Sequence, residues 1–276
     1  MIDSGIVGTC LDDARGFKLV RMNEAIPEPS DLLLPDDPAQ SLDVIAVGAH
    51  PDDVESACGG TLAKMARQGY RVGIVDLTDG EPTPHCPDVE TRMAESVQAA
   101  KCLGVHARIQ LNLPNRILMD GFVPRIALAR QFRRFRPRIV IGFGQKTPMA
   151  SPDHWQAMQI TDAAVFYSRL CRWDEHFNGV PVHAVARQLY FRLAFEPDVM
   201  PGESHHLIVD IGDCLEQKLA SITAYDSQFA HKPKIAERVR AAALVTGSQA
   251  GCWAGEAFAS AHPYSVSDLV KTVMNL

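Results

Sequence analysis

Five consecutive residues, Ala49-His50-Pro51-Asp52-Asp53, bring one imidazole and two carboxylates into a single short segment. An apolar run, Val44-Ile45-Ala46-Val47-Gly48, precedes them, and a helix-like stretch, Val54 to Gln68, follows. They therefore occupy the turn leaving a buried strand, at the edge where open α/β sheets bind ligands. From that turn His50 and Asp53 can reach one metal ion. Asp52 is left beside them to accept a proton from an attacking water. A catalytic zinc site usually has three protein ligands and one open position, so a third ligand must come from another loop on the same edge. Asp153-His154 follows the apolar strand ending at Phe143 and supplies it as His154. Taken alone, the His-Pro-Asp-Asp turn also reads as a strand end whose Asp caps the next helix. The second histidine at a matching edge turns the balance toward a metallohydrolase.

The elements that must position these groups alternate. Strands are expected at 43–48, 71–77, 108–113 and 138–143, and helices at 54–68, 89–103, 124–135 and 153–171. Gly104 stops the second helix. In the first helix Leu62, Met65 and Ala66 should face inward, and in the fourth Ile160, Ala164 and Phe166. This βαβα order predicts an α/β fold, Rossmann-like, with a mostly parallel sheet and helices on both faces. A C-terminal elaboration follows: strands at 188–193 and 206–211 and helices at 214–225 and 233–250. Residues 1–41 are different. Pro27, Pro29, Pro35 and Pro38 punctuate an acidic segment carrying Leu32-Leu33-Leu34. Prolines block both helix and sheet continuation, so 1–41 reads as an N-terminal extension that packs on the domain or on a neighbouring subunit, or as a flexible leader. Residues 42–276 then form a single domain.

Composition narrows the function classes. The chain has 276 residues, 46% of them hydrophobic, enough for a sizeable core. A net charge of −6 argues against nucleic-acid binding, which usually needs a basic surface. The one basic cluster, Arg130, Arg133, Arg134, Arg136 and Arg138, reads as the solvated end of a helix, where cations collect. No apolar run reaches transmembrane length, and no secretory leader is legible at Met1-Ile2-Asp3-Ser4. Seven scattered cysteines without a C-x-x-C pair fit reduced thiols and a cytoplasmic setting. Cys58 reads as a core filler. Gly59-Gly60 lacks the spacing of a dinucleotide loop. His205-His206 would point to opposite faces of a strand and not share a metal.

Four ordered segments carry a resemblance. Val47-Gly48-Ala49-His50-Pro51-Asp52-Asp53-Val54-Glu55, Thr78-Asp79-Gly80-Glu81, Thr91-Arg92-Met93-Ala94-Glu95 and Ser151-Pro152-Asp153-His154 resemble the signatures of the PIG-L, or LmbE-like, zinc-dependent de-N-acetylases. Leu111 to Arg116 and Tyr225 to Phe229 look closest to the bacillithiol-pathway N-acetylglucosaminyl-malate deacetylases. The resemblance runs from about residue 43 to the mid 220s and does not include the extension. It implies zinc, with Fe2+ as the alternative divalent metal, held by His50, Asp53 and His154. It implies Asp52 as general base and Asp153 as a second catalytic-site carboxylate. It also implies sugar contacts from Glu81 and Arg92, and an aglycone carboxylate near Arg116. The competing reading makes Glu81 a surface carboxylate, Arg92 a helix pair with Glu95, and Arg116 a solvated loop arginine.

The expected reaction removes acetyl from an N-acetylglucosamine-type conjugate, with a small amino-sugar molecule as partner and a homo-oligomer as the assembly. One departure stands out. Ser151 replaces a family histidine that is oriented by the aspartate matching Asp153 and that helps stabilise the oxyanion and protonate the leaving amine. Asp52 acting as both base and acid, or a relocated His85 or His262, could cover the loss. Otherwise the chain is an amidase on another acyl-amino substrate or a weak, glycoconjugate-binding pseudoenzyme.

Overall fold

A computed structural model describes residues 25–37, 40–193, 207–268 and 271. His205, His206, the start of the extension and Cys10 lie outside them. Described strands are β1 (Ser30–Leu33), β2 (Val44–Gly48), β3 (Val72–Thr78), β4 (Ala107–Leu113), β5 (Ile139–Phe143), β6 (Arg187–Phe191), β7 (Leu207–Asp210) and β8 (Gly255–Ser260). Described helices are α1 (Asp53–Arg67), α2 (Val89–Leu103), α3 (Phe122–Phe135), α4 (Asp153–Tyr167), α5 (Leu215–Thr223), α6 (Asp226–Phe229) and α7 (Ile235–Gln249).

The strands form one sheet in the order β1-β4-β3-β2-β5-β6-β8-β7. β4, β3, β2, β5 and β6 are parallel neighbours. β2 is buried along its whole length, as its uninterrupted apolar run requires for a strand covered on both faces. Strand order reverses at β2: the chain builds outward through β3 and β4, then returns to place β5 on the other side. Right-handed crossovers put α1 and α2 on one face and α3 and α4 on the other. α3 packs on α4, while α5 packs on α1 and α2. The crevice between the ends of β2 and β5 is thus the topological switch point, where such sheets bind ligands.

Two strands escaped the sequence reading. β8 lies between β6 and β7 and runs antiparallel to both. Its residues, GEAFAS, hold one strand-favouring side chain, Phe258, among small and charged ones, so propensity gives little signal. β1 pairs antiparallel with β4 at the sheet edge, with a register shift between Asp31 and Leu33, and an edge strand tolerates the prolines that flank it. Ile26, Leu33 and Leu34 pack against the main core.

Local rules hold at most helix ends. Asp88 caps α2 by accepting from the Thr91 amide at 2.7 Å, and Gly104 ends it in a left-handed conformation. α1 is broken at Cys58 (φ −138°). The amides of Gly60 and Thr61 donate instead to Glu256 on β8, at 3.0 and 2.7 Å, and Lys218 neutralises that carboxylate. Two expectations fail. Phe166 is 48% exposed rather than inward, under the Arg169 guanidinium. Arg133 is buried, not solvated: it donates to the carbonyls of Ser168, Leu170 and Val180 and lies over Phe177. A guanidinium with several donors is well suited to gather carbonyls at the end of a neighbouring helix. The six described cysteines form no disulfide. No described helix is long and apolar enough to cross a membrane.

Candidate metal centre

His50, Asp53 and His154 come together at the switch point, with one donor atom from each within 4.8 Å of the others. β2 ends at Gly48, and α1 begins at Asp53, so the whole motif is the strand-to-helix turn. His154 sits in the first turn of α4, after the loop leaving β5. One carboxylate faces both rings: Asp53 Oδ2 is 3.5 Å from His50 Nδ1, and Oδ1 is 3.3 Å from His154 Nε2. Oδ2 also accepts from the amides of Ala49 and His50, each at 2.9 Å. The backbone thereby fixes the carboxylate and leaves Oδ1 facing the crevice. Ligand distances of about 2.0–2.2 Å put tetrahedral donors roughly 3.3 Å apart. The spacing and the N,O,N donor set fit a small divalent ion.

The field of the site follows from these contacts. Burial disfavours a charged His50, but Asp153 and Asp53 outweigh it and push the ring up to about 10. Burial alone would raise the Asp53 carboxyl; His154 and His50 outweigh it and hold it well below the usual carboxylate range.

Asp52 lies beside the three and is not one of them. Its backbone has φ +114°, an uncommon region for a residue with a side chain, of the kind that concentrates at functional sites. Burial raises its carboxyl to about 6, with Arg92 working against the rise. Arg92 donates to Asp52 Oδ2 at 3.1 Å and to the Pro51 carbonyl. It is 2% exposed, and its Nε and Nη1 have no hydrogen-bond partner. Glu81, also buried, comes to 3.9 Å of Nη1. Glu95 turns away to the amide and hydroxyl of Ser227, at 2.8 and 2.5 Å, so Arg92 does not form the helix pair that spacing allowed. Gly80 lets the Glu81 loop approach: it has φ +75°, and a Cβ there would sit 3.3–3.4 Å from Pro51, Arg92 and His50.

His50, Asp52, Asp53, His154, Gly80 and Arg92 line a cavity of about 320 Å³, while Glu81 is not among its lining residues and accepts from the Thr83 hydroxyl at 3.0 Å. Asn115, Arg116, Ser151, Gln228 and Lys232 complete its walls. Gln228 and Lys232 come from the chain after α5. Gln228 donates to Thr83 Oγ1 at 2.9 Å. Asn115 and Gln228 fall within the segments 111–116 and 225–229 that carry the resemblance, though without an assigned role, whereas Lys232 and Thr147 have no local pattern that marks them. Arg116 is exposed at the wall and donates to the Pro82 carbonyl. Its backbone amide donates to Asp153 Oδ2 at 2.7 Å. The same oxygen lies 3.4 Å from His50 Nε2. Ser151 Oγ accepts from the Asp153 amide at 3.3 Å. The described histidines that line the cavity are His50 and His154. His85 stacks instead on His231, ring centroids 3.9 Å apart, and His262 is exposed on the segment after β8.

Residues 45–165 match the PIG-L family, described as GlcNAc-PI de-N-acetylase. The chain is 26% identical over 235 residues to the 1D-myo-inositol 2-acetamido-2-deoxy-alpha-D-glucopyranoside deacetylase 1 of Saccharopolyspora erythraea, covering 67% of this chain and 77% of that protein. The conserved protein TT1542 of Thermus thermophilus superposes with a TM-score of 0.68 at 33% identity, over 82% of this chain and 97% of the other. The 4-carboxy-2-hydroxymuconate hydratase GalB of Pseudomonas putida KT2440 shares the fold, with a TM-score of 0.71 at 22% identity over 83% and 99% of the two chains.

Proposed function

The chain belongs to the PIG-L family, and from that premise we propose a metal-dependent hydrolase that removes acetyl from an N-acetylglucosamine-type conjugate. The products are acetate and a free amino sugar. A fold shared with a hydratase does not fix the reaction. The observation that carries the reading is the convergence of His50, Asp53 and His154 with a second carboxylate, Asp52, on the same cavity.

His50, Asp53 and His154 would hold the ion, with zinc the first expectation and Fe2+ the alternative. Such an ion, when bound, acidifies water and polarises an amide carbonyl. Asp52 accepts the proton of the water that attacks the acetyl carbon. A base buried to about 6 is ionised at neutral pH and still basic enough for the task. Arg92 keeps that carboxylate turned to the cavity. Arg92 lines the cavity where the sugar would lie, and Glu81 stands 3.9 Å behind its guanidinium. Asn115 donates to the Glu81 carbonyl at 2.9 Å and holds that loop in place. Arg116 at the wall suits an aglycone carboxylate through its planar fork.

Ser151 can donate a hydrogen bond but cannot carry a proton to the leaving amine. The Asp52 carboxyl, protonated in the first step, returns its proton to that nitrogen. The exposure of His85 and His262 away from the cavity supports this account over a relocated imidazole. A cytoplasmic setting and a homo-oligomer complete the reading, the first in keeping with six described cysteines that form no disulfide.

Metal content together with acetate release from a panel of N-acetyl sugars tests it. Bound metal and acetate from at least one sugar is the expected result. Bound metal with no acetate from any of them would favour an amidase on another acyl-amino substrate or a glycoconjugate-binding protein.

A further inference from the structure

The two imidazoles of the metal centre are held from behind through opposite nitrogens. His50 turns Nε2 to Asp153 Oδ2, 3.4 Å away, and Nδ1 to Asp53. His154 turns Nδ1 to Thr147 Oγ1, 2.8 Å away, and Nε2 to Asp53. We propose that Asp153 and Thr147 are positioning residues that fix complementary tautomers, so that His50 offers Nδ1 and His154 offers Nε2 to one divalent ion. The inference rests on the metal-hydrolase reading above.

A carboxylate only accepts hydrogen bonds. Nδ1 and the Asp53 carboxylate would both face a bound ion, so the single proton of a neutral His50 belongs on Nε2, where Asp153 accepts it. Asp153 is itself held: it is 1% exposed, and its Oδ2 accepts from the Arg116 amide at 2.7 Å. Its site at the start of α4 also places a negative charge where the helix dipole favours one. Thr147, in the loop between β5 and α4, is 8% exposed. A hydroxyl both donates and accepts, so Oγ1 can take the Nδ1 proton that His154 carries when Nε2 is a ligand. Phe143 stacks on the His154 ring at 4.7 Å and 17°, which prevents the ring from turning over. The partner on the far nitrogen decides which nitrogen of a histidine binds metal.

Ser151 has a place in this arrangement. It brings no imidazole to compete for the Asp153 carboxylate, and its Oγ receives the Asp153 amide instead. Asp153 is thereby committed to His50 and to the Arg116 loop. The aspartate acts through a ligand of the ion, not through a proton-donating imidazole.

The test is a zinc titration of the full chain against a chromophoric chelator. Wild type is compared with Thr147→Val, Thr147→Ser and Asp153→Asn, alongside melting curves without zinc. Loss of such a partner typically weakens metal affinity about 10–100-fold. That loss is expected for Thr147→Val and Asp153→Asn, with most of it restored in Thr147→Ser. Long-range proton–nitrogen NMR of the zinc-loaded protein should find the His50 proton on Nε2 and the His154 proton on Nδ1. Unchanged zinc affinity in both Thr147→Val and Asp153→Asn overturns the inference and leaves the metal centre standing. Failure of Thr147→Ser to rescue, or both rings protonated on the same nitrogen, overturns it as well. Wild type that takes up no zinc removes the metal reading and this inference together.

Discussion

Asp52→Asn should abolish most hydrolysis while leaving the metal centre and the fold in place. The two side chains are nearly isosteric. Asn is one of the few residues that tolerates positive φ, so the turn at +114° survives the change. Arg92 decides which way the new amide points. It needs an acceptor at the position of Oδ2, 3.1 Å away, so the Asn carbonyl turns to the guanidinium and its NH2 to the cavity. A donor then stands where the attacking water must lose a proton. Loss of a positioned base typically lowers the rate about 10²–10⁴-fold, or about 2.7–5.4 kcal/mol of barrier. The hydrogen bond to Arg92 goes from charged to neutral, a stability loss of about 1 kcal/mol and roughly 2–4 °C in melting temperature. The assay is acetate release under saturating sugar, with metal content measured on the same sample. Turnover within tenfold of wild type at full metal content would show that Asp52 is not the base. Loss of metal in step with activity would make it a ligand instead.

Zinc returned to chelator-stripped wild type should raise its melting point. At a hundredfold excess over Kd the stabilisation is about 2.7 kcal/mol; His154→Ala should show no such shift, and a full shift there would take His154 out of the centre. Arg92→Ala should raise KM and lower turnover, since it frees Asp52 and removes the guanidinium from the cavity wall; a collapse of stability with normal kinetics in the folded fraction would make Arg92 structural only. Ser151→His should raise turnover, by less than the roughly 10²–10³-fold of a fully supported donor, while His85→Ala and His262→Ala leave it unchanged; loss of activity in either alanine variant, metal retained, would transfer the acid role to that histidine. Arg108→Met tests the buried network behind the site, where Arg108 joins Glu55 at 2.5 Å and Asp76 at 2.7 Å, with Tyr225 on Glu55. It should lose about 3–5 kcal/mol by leaving charge buried and unpaired. Burial already pushes Asp76 up to about 6, with Arg108 limiting the rise. A carboxyl raised in the folded state loses stability as pH climbs from the unfolded value through the folded one. The Asp76 part of the wild-type decline therefore ends near pH 6, and in the variant that part should continue above it. Parallel melting curves of the two proteins from pH 5 to 8 would refute this.

Much of the centre was written in adjacent residues. His50, Pro51, Asp52 and Asp53 are neighbours in one turn, and a turn between a five-residue apolar strand and a helix has little freedom in where it points. The strand-to-helix alternation likewise fixes the parallel core, because short right-handed crossovers leave few topologies. His154 was legible for the same reason, as the start of the helix after β5. Tertiary structure decided the rest, where a side chain meets a partner far along the chain. Arg92 had a good local partner in Glu95 and took Asp52 instead, because α2 presents it to the β2 turn. Arg133 looked like one more cation at a helix end and is buried under three carbonyls of another segment. β1 and β8 are strands only because an edge or a gap in the sheet supplies the ladder their own residues do not demand. Gln228 and Lys232 reach a cavity founded at residue 50. Local sequence sets backbone and burial through short-range sterics and periodicity; which polar group satisfies which is settled by packing, after those elements have met.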